Sequence, residues 1–368
     1  MRLVELFCGT GGFSHGAHMA GFEVAAAFDL DATLTSSYTA NFPHTNLVLH
    51  DVAELTAERI ELEAGGRVDG IFGGPPCQGF SAIGRRDITD VRRKLLWHFF
   101  RLVHELQPTF FVMENVRGLL YPENIGELES AIEHVSDIYD VPEPSVWDAS
   151  EFGAATKRHR LFVVGVHKDR GEAVTRKDIA VLKRPAATVR QAIVDIAGAS
   201  FVKDDESGFD LWRLQKRGRP HEYAKALRIR QGEFAGHFTG HRTTRHTDKV
   251  VERFSAIPQG GLERVGRHPR LAWEGLCPTL RAGTGADLGS YQSVRPIHPE
   301  ENRVITVREG ARLQGFPDWH KFHPTVWHSF RMIGNSVSPI MAHAVFQAIA
   351  TKLAGVVLRD EAFAAAAE

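Results

Sequence analysis

The residue best suited to do chemistry is a cysteine in an unusual setting. Cys77 lies in the segment GGPPCQGFS (73–81), which directly follows an apolar run. Two prolines restrict the backbone before it, so the thiol is held on a stiff support. A thiol at the carboxyl end of a strand, beside a helix start, can have its pKa lowered toward the reactive thiolate. The segment predicts a nucleophilic Cys77, whereas Cys8 and Cys277 are equally well explained as small buried residues.

A carboxylate and two arginines stand at the ends of two further apolar runs. Glu114 follows TFFVM (109–113), and burial at a strand end should raise its pKa, so that it can meet a ring nitrogen in the protonated form. Arg158 and Arg160 alternate just before LFVVGV, and such a pair on one face suits a carboxylate, a phosphate or a base carbonyl. The alternatives are a solvent-facing glutamate and an exposed basic strand edge.

A glycine-rich turn and two aspartates indicate a nucleoside-binding site. In FCGTGG (7–12) the glycines allow a tight turn and a close approach to a ligand. The spacing departs from G-x-G-x-x-G, which disfavours a dinucleotide. Asp29 ends the second apolar run and could accept both ribose hydroxyls, and Asp51 ends the third and could accept an adenine amino hydrogen. Together these residues predict an adenosine pocket.

The elements that must position these residues alternate between strands and helices. This order predicts an α/β fold with a mostly parallel sheet and helices on both faces. Ligands of such sheets lie outside the carboxyl ends of the strands. Ser338 could cap the last helix, with Pro339 at its first position. The predicted strands are 2–7, 23–28, 46–51, 66–74, 109–116 and 160–166, and the predicted helices are about 13–20, 31–40, 91–106, 306–316 and 339–354.

Composition sets outer limits on the protein. The chain has 368 residues, of which 43% are hydrophobic and 24% charged, enough for a large core and a second small domain. The net charge of −1 neither favours nor excludes a nucleic-acid partner. Three widely spaced cysteines predict neither a disulfide framework nor a metal site. With no signal peptide and no long apolar run, the sequence predicts no membrane contact and a cytoplasmic location.

The regular pattern stops after about residue 185. Residues 186–303 are rich in Gly, Pro, Arg and His, and 203–303 hold 18 Lys and Arg against 13 Asp and Glu. RLQKRGRP (213–220) and HRTTRH (241–246) are the basic clusters of this region. We therefore predict one α/β domain, built from 1–185 and 330–368, with a smaller irregular domain over 186–329.

These motifs, in this order, resemble those of the DNA cytosine-5 methyltransferase family of the bacterial restriction-modification type. The resemblance rests on FCGTGG, GGPPCQGFS, ENV (114–116), KRHR (157–160), VITVREGARLQGFPD (304–318) and GNSVSP (334–339). It spans both ends of the chain and leaves about 186–303 unmatched. It implies a Rossmann-like S-adenosylmethionine-dependent methyltransferase domain, and it makes 186–329 a target-recognition domain and hinge.

The resemblance also implies roles for single residues. Cys77 would attack C6 of cytosine, Glu114 would meet N3 and N4, Arg160 would hold the O2 side, and Arg158 would support the loop. Bound S-adenosyl-L-methionine would contact Phe7, Gly9, Gly11, Gly12, Asp29, Asp51, Val52, Gly74, Pro76, Leu95, Asn335 and Val337. A loop over about 79–94 would close on double-stranded DNA, and its DNA-binding residues would be Gln78, Ser81, Arg85 and Arg86. The target base must be flipped out of the duplex for this reaction.

Thr156 departs from the family pattern, which usually has Gln at that position. The residue is more structural or DNA-facing than chemical, so the reaction itself is not in question. A cognate restriction endonuclease would act separately. The enzyme itself would lie in the bacterial cytosol or nucleoid, and a sulfonium cofactor with a larger transferable group stays open.

Three other functions compete with this prediction. An RNA (tRNA) cytosine-5 methyltransferase would share Cys77 and Glu114, but the long segment before VREGARLQGFPD favours DNA. A non-catalytic DNA-binding regulator is disfavoured because Cys77, Glu114 and Arg160 are all present. A dinucleotide oxidoreductase is disfavoured by the glycine spacing.

Overall fold

The structure is a computed structural model of the chain. It describes residues 1–76, 94–215, 220–228, 235–283 and 294–365, with side chains described as far as residue 354.

A central sheet carries the fold, and its neighbouring strands follow the order β3-β2-β1-β4-β5-β8-β6, with β7 paired to β8. The first five strands are parallel, whereas β8 runs antiparallel to β5. The predicted α/β fold with a mostly parallel sheet is therefore confirmed. The strands are β1 (Arg2–Leu6), β2 (Glu23–Asp29), β3 (Asn46–Leu49), β4 (Gly70–Gly73), β5 (Phe110–Asn115), β6 (Tyr139–Asp140), β7 (Ser145–Asp148) and β8 (His159–His167).

Helices cover both faces of this sheet. On one face α1 and α12 pack through Phe13, Ala17 and Phe346, and on the other α3, α4 and α5 contribute Ile60, Phe99 and Leu128 to a second buried cluster. Burial on both faces explains why the strand sequences are continuous apolar runs. The helices are α1 (Gly12–Met19), α2 (Tyr38–Asn41), α3 (Ala57–Glu63), α4 (Lys94–Leu106), α5 (Ile125–Glu133), α6 (Arg176–Ala180), α7 (Val189–Ile193), α8 (Glu222–Leu227), α9 (Asp248–Ser255), α10 (Val307–Gln314), α11 (Val326–Asn335) and α12 (Pro339–Ala365).

The predicted helix over 31–40 is wrong, because only the short α2 forms there. The Asp31 side chain accepts the amides of Thr33 and Leu34, and this local capture of backbone donors favours turns over a helix. The predicted cap at Ser338 also differs, since its hydroxyl donates to the Gln314 carbonyl 2.8 Å away. Pro339 does begin α12, which continues beyond the predicted end at 354.

Within 186–329 a smaller sheet forms from β9 (Ser200–Asp204), β10 (Asp210–Arg213) and β11 (His237–Thr239). The strands are antiparallel in the order β11-β10-β9. A buried cluster joins α7 to α10 and α11 through residues such as Ile193, Leu313 and Phe330. The predicted domain boundaries at 185 and 330 stay predictions.

The segment VREGARLQGFPD forms α10 and holds this region together with two buried arginines. Thr306 caps the helix, and the left-handed Gly315 (φ 92°) ends it. Arg308 donates to the carbonyl oxygens of Thr239, Pro317 and His320. The guanidinium thus ties the end of β11 to the loop that follows α10.

Arg312, fully buried on the same helix, donates to both oxygens of Asp318, at 2.8 and 2.6 Å, and to Asp195 at 2.5 Å. Arg312→Ala is expected to lower the free energy of unfolding by about 3–5 kcal/mol, because the buried Asp318 carboxylate loses its partner, although Asp195 keeps Arg228. Denaturant titration measures this. Arg59→Ala, which breaks the more exposed Arg59–Glu63 pair, should cost less than about 1 kcal/mol. Equal losses in the two variants would contradict the expectation.

Candidate active site

A cavity of about 880 Å³ opens at the carboxyl ends of β1 to β5. Since β8 is antiparallel to β5, its first residues reach the same edge of the sheet. The volume lies in the range of about 300–1,000 Å³ typical of small-molecule sites. The sequence-predicted residues that line it are Phe7, Gly9, Asp29, Asp51, Val52, Gly74, Pro76, Leu95, Glu114, Arg160, Asn335 and Val337.

The turn after β1 has a strained backbone. Phe7 has φ 59° and Gly9 has φ 51°, both in the left-handed region. A phenylalanine rarely adopts this conformation, so its neighbours must impose it. The Gly9 amide donates to Asp29 Oδ2 over 2.8 Å, which ties the turn to the end of β2. The aromatic ring of Phe7 and the Asp29 carboxylate are thereby held on one cavity wall.

Gly11 and Gly12 have a packing role, and neither is among the residues that line the cavity. A Cβ at Gly11 would lie 2.2 Å from the Phe42 ring, and one at Gly12 would lie 2.0 Å from Ser336 Oγ. Gly12 must be glycine for the turn to approach the GNSV segment, and Gly11 for the turn to pack against the Phe42 ring. Their predicted contact with the cofactor stays a prediction.

The two aspartates differ in their surroundings. Asp29 Oδ1 accepts the Asp31 amide, and its burial raises the carboxyl pKa while the backbone hydrogen bonds oppose the rise. Asp51 Oδ1 accepts the Ala53 amide over 2.9 Å and caps the short 3-10 helix Val52–Glu54. Two acceptor carboxylates and an aromatic ring are a chemical set that fits the ribose hydroxyls, amino group and flat face of an adenosine.

Glu114 and Arg160 form an ion pair at the opposite wall. Arg160 Nε lies 2.6 Å from Glu114 Oε1, and their side chains are only 12% and 9% exposed. Burial raises the pKa of Glu114, whereas Arg160 and Arg158 oppose the rise. The carboxyl can therefore carry a proton nearer neutral pH than an exposed glutamate.

The segment that leads to Cys77 packs against Glu114. A Cβ at Gly74 would lie 2.8 Å from Glu114 Oε2, so a larger residue would collide with the carboxyl. Asn115 Nδ2 donates to the Pro75 carbonyl over 3.2 Å. The neighbouring strand thus fixes the backbone just before Cys77. Sequence analysis missed this role of Asn115, although the ENV motif contains the residue.

Arg158 lies behind the cavity wall and is fully buried. Its guanidinium donates to the carbonyls of Leu280, at 3.1 Å, and Gly334, at 2.8 Å. A Cβ at Gly334 would lie 2.2 Å from the Ala282 amide nitrogen, so the two segments touch through their backbones. This placement fits the supporting role that was predicted for Arg158.

Thr156, the departure from the family pattern, is also buried. Its hydroxyl donates to the Cys277 carbonyl over 3.0 Å, which is a structural contact.

Burial raises the pKa of the Cys277 thiol to about 12 and that of the Cys8 thiol well above its ordinary value. Neither of these two thiols is a competent nucleophile at neutral pH.

Five predicted site residues lie outside the described part of the chain: Cys77, Gln78, Ser81, Arg85 and Arg86. Their roles stay predictions.

In the described ranges, no group of three or more His, Cys, Asp or Glu side chains is arranged to hold a metal ion. None of the described helices has the length and apolar character that a membrane crossing requires.

Glu5 is a cavity residue that sequence analysis missed, although it is a charged residue inside an apolar strand. It is 2% exposed and accepts a hydrogen bond from Ser14 Oγ, which itself lies 2.6 Å from Tyr38 Oη. Burial raises the pKa of Glu5 well above its ordinary value, Ser14 opposes the rise, and the Asp29 charge adds to it. The folded protein therefore keeps the Glu5 proton to a higher pH than an exposed glutamate would.

This proton makes stability depend on pH. Above the unfolded pKa of about 4.3, the unfolded chain releases the proton while the folded chain keeps it, so rising pH lowers the free energy of unfolding. Glu5→Gln has no proton to release at this position, so its free energy of unfolding should lack this fall with rising pH. We expect the difference in stability, variant minus wild type, to increase between about pH 5 and 8. Denaturant titrations across this range measure it, with the exposed Glu129→Gln as control, and a pH-independent difference would contradict the expectation.

Comparison with known proteins agrees with this geometry. The C-5 cytosine-specific DNA methylase family matches residues 1–351. The chain is 40% identical over 361 residues to the Type II methyltransferase M.XorII of Xanthomonas oryzae pv. oryzae, covering 93% of this chain and 82% of the relative. It is 30% identical over 385 residues to M.DdeI of Desulfomicrobium norvegicum, covering 95% and 88%.

Solved structures give the same result. A crystallised E. coli protein, described as a prophage-encoded DNA modification methyltransferase, superposes with a TM-score of 0.82 at 36% identity, covering 96% of this chain and 99% of that chain. The S. pombe Dnmt2 methyltransferase shares the fold, with a TM-score of 0.62 at 17% identity, 97% of this chain and 99% of that chain being covered. The resemblance noted in the sequence is confirmed: this chain belongs to the C-5 cytosine-specific DNA methylases, enzymes that methylate cytosine at C5 with S-adenosylmethionine.

Proposed function

We propose that this chain flips a target cytosine out of duplex DNA and methylates C5 after covalent attack by Cys77. One observation carries the proposal. Glu114, whose pKa is raised by burial, pairs with Arg160 on a cavity wall that also includes Pro76, the residue directly before Cys77. The cavity therefore brings a proton donor (Glu114), a fixed cation (Arg160) and the backbone that supports the Cys77 thiol to one place. A flipped cytosine could bind there.

The cofactor would occupy the part of the cavity nearest β1 to β3. Phe7 would stack on the adenine, Asp29 would accept the ribose hydroxyls and Asp51 would accept the adenine amino group. Asn335 and Val337 would close the pocket from the opposite side. S-adenosylmethionine, when bound, supplies an electrophilic methyl group.

The residues of the chain supply the remaining chemistry. The Cys77 thiolate forms a bond to C6 of the cytosine, and negative charge develops across C5 and N3. Protonated Glu114 hydrogen-bonds to N3 and stabilises that charge, while Arg160 holds the O2 side. C5, now nucleophilic, would take the methyl group as the bond from that group to the sulfonium sulfur breaks, which leaves S-adenosylhomocysteine. The C5 proton then leaves to a base, and the C6–sulfur bond breaks to release the thiolate.

DNA would bind on the side where the catalytic core meets residues 186–329. We propose that this region is the target-recognition domain and hinge, with 1–185 and 330–368 as the catalytic domain. Its excess of basic residues over 203–303, 18 against 13 acidic, suits a phosphate backbone. Gln78, Ser81, Arg85 and Arg86 would belong to a segment that closes over the flipped base.

A restriction endonuclease of the same sequence specificity would accompany the enzyme. The proposal rests on relatives that are named Type II methyltransferases. The methyltransferase itself would act in the bacterial nucleoid, where its DNA substrate lies.

A map of modified cytosines tests the whole proposal. Unmethylated genomic DNA is treated with the purified protein and S-adenosylmethionine, and 5-methylcytosine is located by sequencing. We expect modification at one short motif. An absence of modification from a folded protein that binds the cofactor would contradict the proposal. A tRNA pool treated in parallel tests the RNA alternative.

A further inference from the structure

One ion pair joins two walls of the cavity, which are the loop after β2 and the helix α11. Arg331 Nη2 lies 2.5 Å from Asp31 Oδ2, although the residues are 300 positions apart in the chain. Both side chains line the cavity and are about one third exposed, at 31% and 30%. Asp31 follows β2, whereas Arg331 belongs to α11, so the pair connects elements from opposite ends of the sequence.

Asp31 organises the first wall with its other carboxylate oxygen. Oδ1 accepts the amides of Thr33, at 2.9 Å, and Leu34, at 3.0 Å, and Leu34 also lines the cavity. The Asp31 amide donates to Asp29 Oδ1 over 2.8 Å. The carboxylate proposed to hold the ribose is therefore one hydrogen bond away from the residue that pairs with Arg331.

Arg331 belongs to the second wall. It precedes Asn335 by four positions, about one helical turn, so both residues lie on the same face of α11. Met332 and the segment 334–337 line the cavity beside them. The Arg331 guanidinium therefore ties the Asp31 loop to the segment that would close the cofactor pocket.

We propose that the Asp31–Arg331 pair is a clasp that holds the two walls together around bound S-adenosylmethionine and slows its dissociation. This inference rests on the proposed placement of the cofactor. Because the pair is partly exposed, its contribution is modest, and we expect its loss to speed cofactor dissociation about 2- to 5-fold.

A double-mutant cycle isolates the clasp from other effects. Asp31→Asn keeps an oxygen that can accept the Thr33 and Leu34 amides but removes the charge, and Arg331→Gln removes the partner. Stopped-flow dissociation of S-adenosylmethionine and of S-adenosylhomocysteine is measured on the full chain without DNA. Each single variant should release both ligands faster, and the double variant should be no faster than either single variant.

The chain offers a matched control. Lys183 and Glu151 also lie 2.5 Å apart and are 43% and 33% exposed, and Glu151 likewise accepts a backbone amide, that of Asp148. Neither residue lines the cavity. Glu151→Gln and Lys183→Gln should leave both dissociation rates unchanged.

The outcomes separate the clasp from the cofactor site itself. If Asp51→Ala weakens cofactor binding but Arg331→Gln leaves dissociation unchanged, the clasp is wrong and the site stands. If Asp51→Ala has no effect on binding, the placement of the cofactor fails. Additive effects in the double variant would also overturn the clasp, because independent residues do not couple.

Discussion

Replacing Cys77 with serine is expected to reduce the rate of methyl transfer to DNA on the order of 10⁴-fold or more. A cysteine thiol has a pKa near 8.5 and reaches the thiolate near neutral pH, whereas a serine hydroxyl without a base does not ionise. Single-turnover transfer to duplex DNA measures the loss. Affinity for S-adenosylmethionine should stay close to wild type, since the change is one atom.

Cys277→Ala is the control for removal of a thiol. The buried Sγ donates to the carbonyl of the adjacent Pro278 over 3.2 Å, and the Cys277 carbonyl that accepts from Thr156 is retained in the variant, so activity should persist. DNA with 5-fluorocytosine at the target supplies a second readout, because fluorine at C5 cannot leave as a proton and the C6–sulfur bond should persist. Wild type should form this adduct and Cys77→Ser should not. A Cys77→Ser enzyme that retains a tenth of the wild-type rate would sink the proposed nucleophile.

Glu114→Gln should lower kcat by about 10²–10⁴-fold, the usual worth of a positioned proton donor. The amide preserves the shape beside Gly74 but cannot transfer a proton to N3. Since burial raises the pKa of Glu114, the wild-type rate should fall as the pH rises through that pKa and the carboxyl loses its proton, and the variant should lack that decline. Single-turnover rates from about pH 5 to 9 measure both effects.

Glu309 provides a contrast, because it is another buried glutamate with an arginine partner. Arg303 donates to both of its oxygens, at 2.9 and 2.8 Å, and the Thr306 amide donates at 2.7 Å. These partners outweigh burial and hold the Glu309 pKa at about 2, so it is ionised. Glu309→Gln should reduce stability but leave the rate per folded molecule intact. A Glu114→Gln rate within fivefold of wild type would remove Glu114 from the proposed mechanism.

Much of the site could be predicted because it lies at the ends of strands. Apolar runs followed by Phe7, Asp29, Asp51 and Glu114 place these residues along one edge of a parallel sheet, and the structure brings all four to one cavity. The raised pKa of Glu114 follows from the same pattern, since its strand is buried throughout.

The contacts that sequence analysis missed depend on tertiary structure. The Asp31–Arg331 pair joins residues 300 positions apart, and no periodicity connects them. The burial of Glu5 agrees with a sheet covered on both faces, but its hydrogen bond from Ser14 and its place in the cavity depend on where α1 places Ser14. The wrong helix at 31–40 has a local origin instead, because the Asp31 carboxylate accepts amides two and three residues further along and so favours turns over a helix.

Main-chain atoms of residues 277–282 take part in several contacts with the elements that carry the cavity. Thr156 and Arg158 reach the carbonyls of Cys277 and Leu280, and Gly334 meets the Ala282 amide. Carbonyls and amides are the same whatever side chains accompany them. The region that follows α7 can therefore diverge in sequence while it stays seated on an unchanged core. With 186–329 as the proposed target-recognition domain, such an enzyme could acquire a new DNA target without altering the machinery that modifies it.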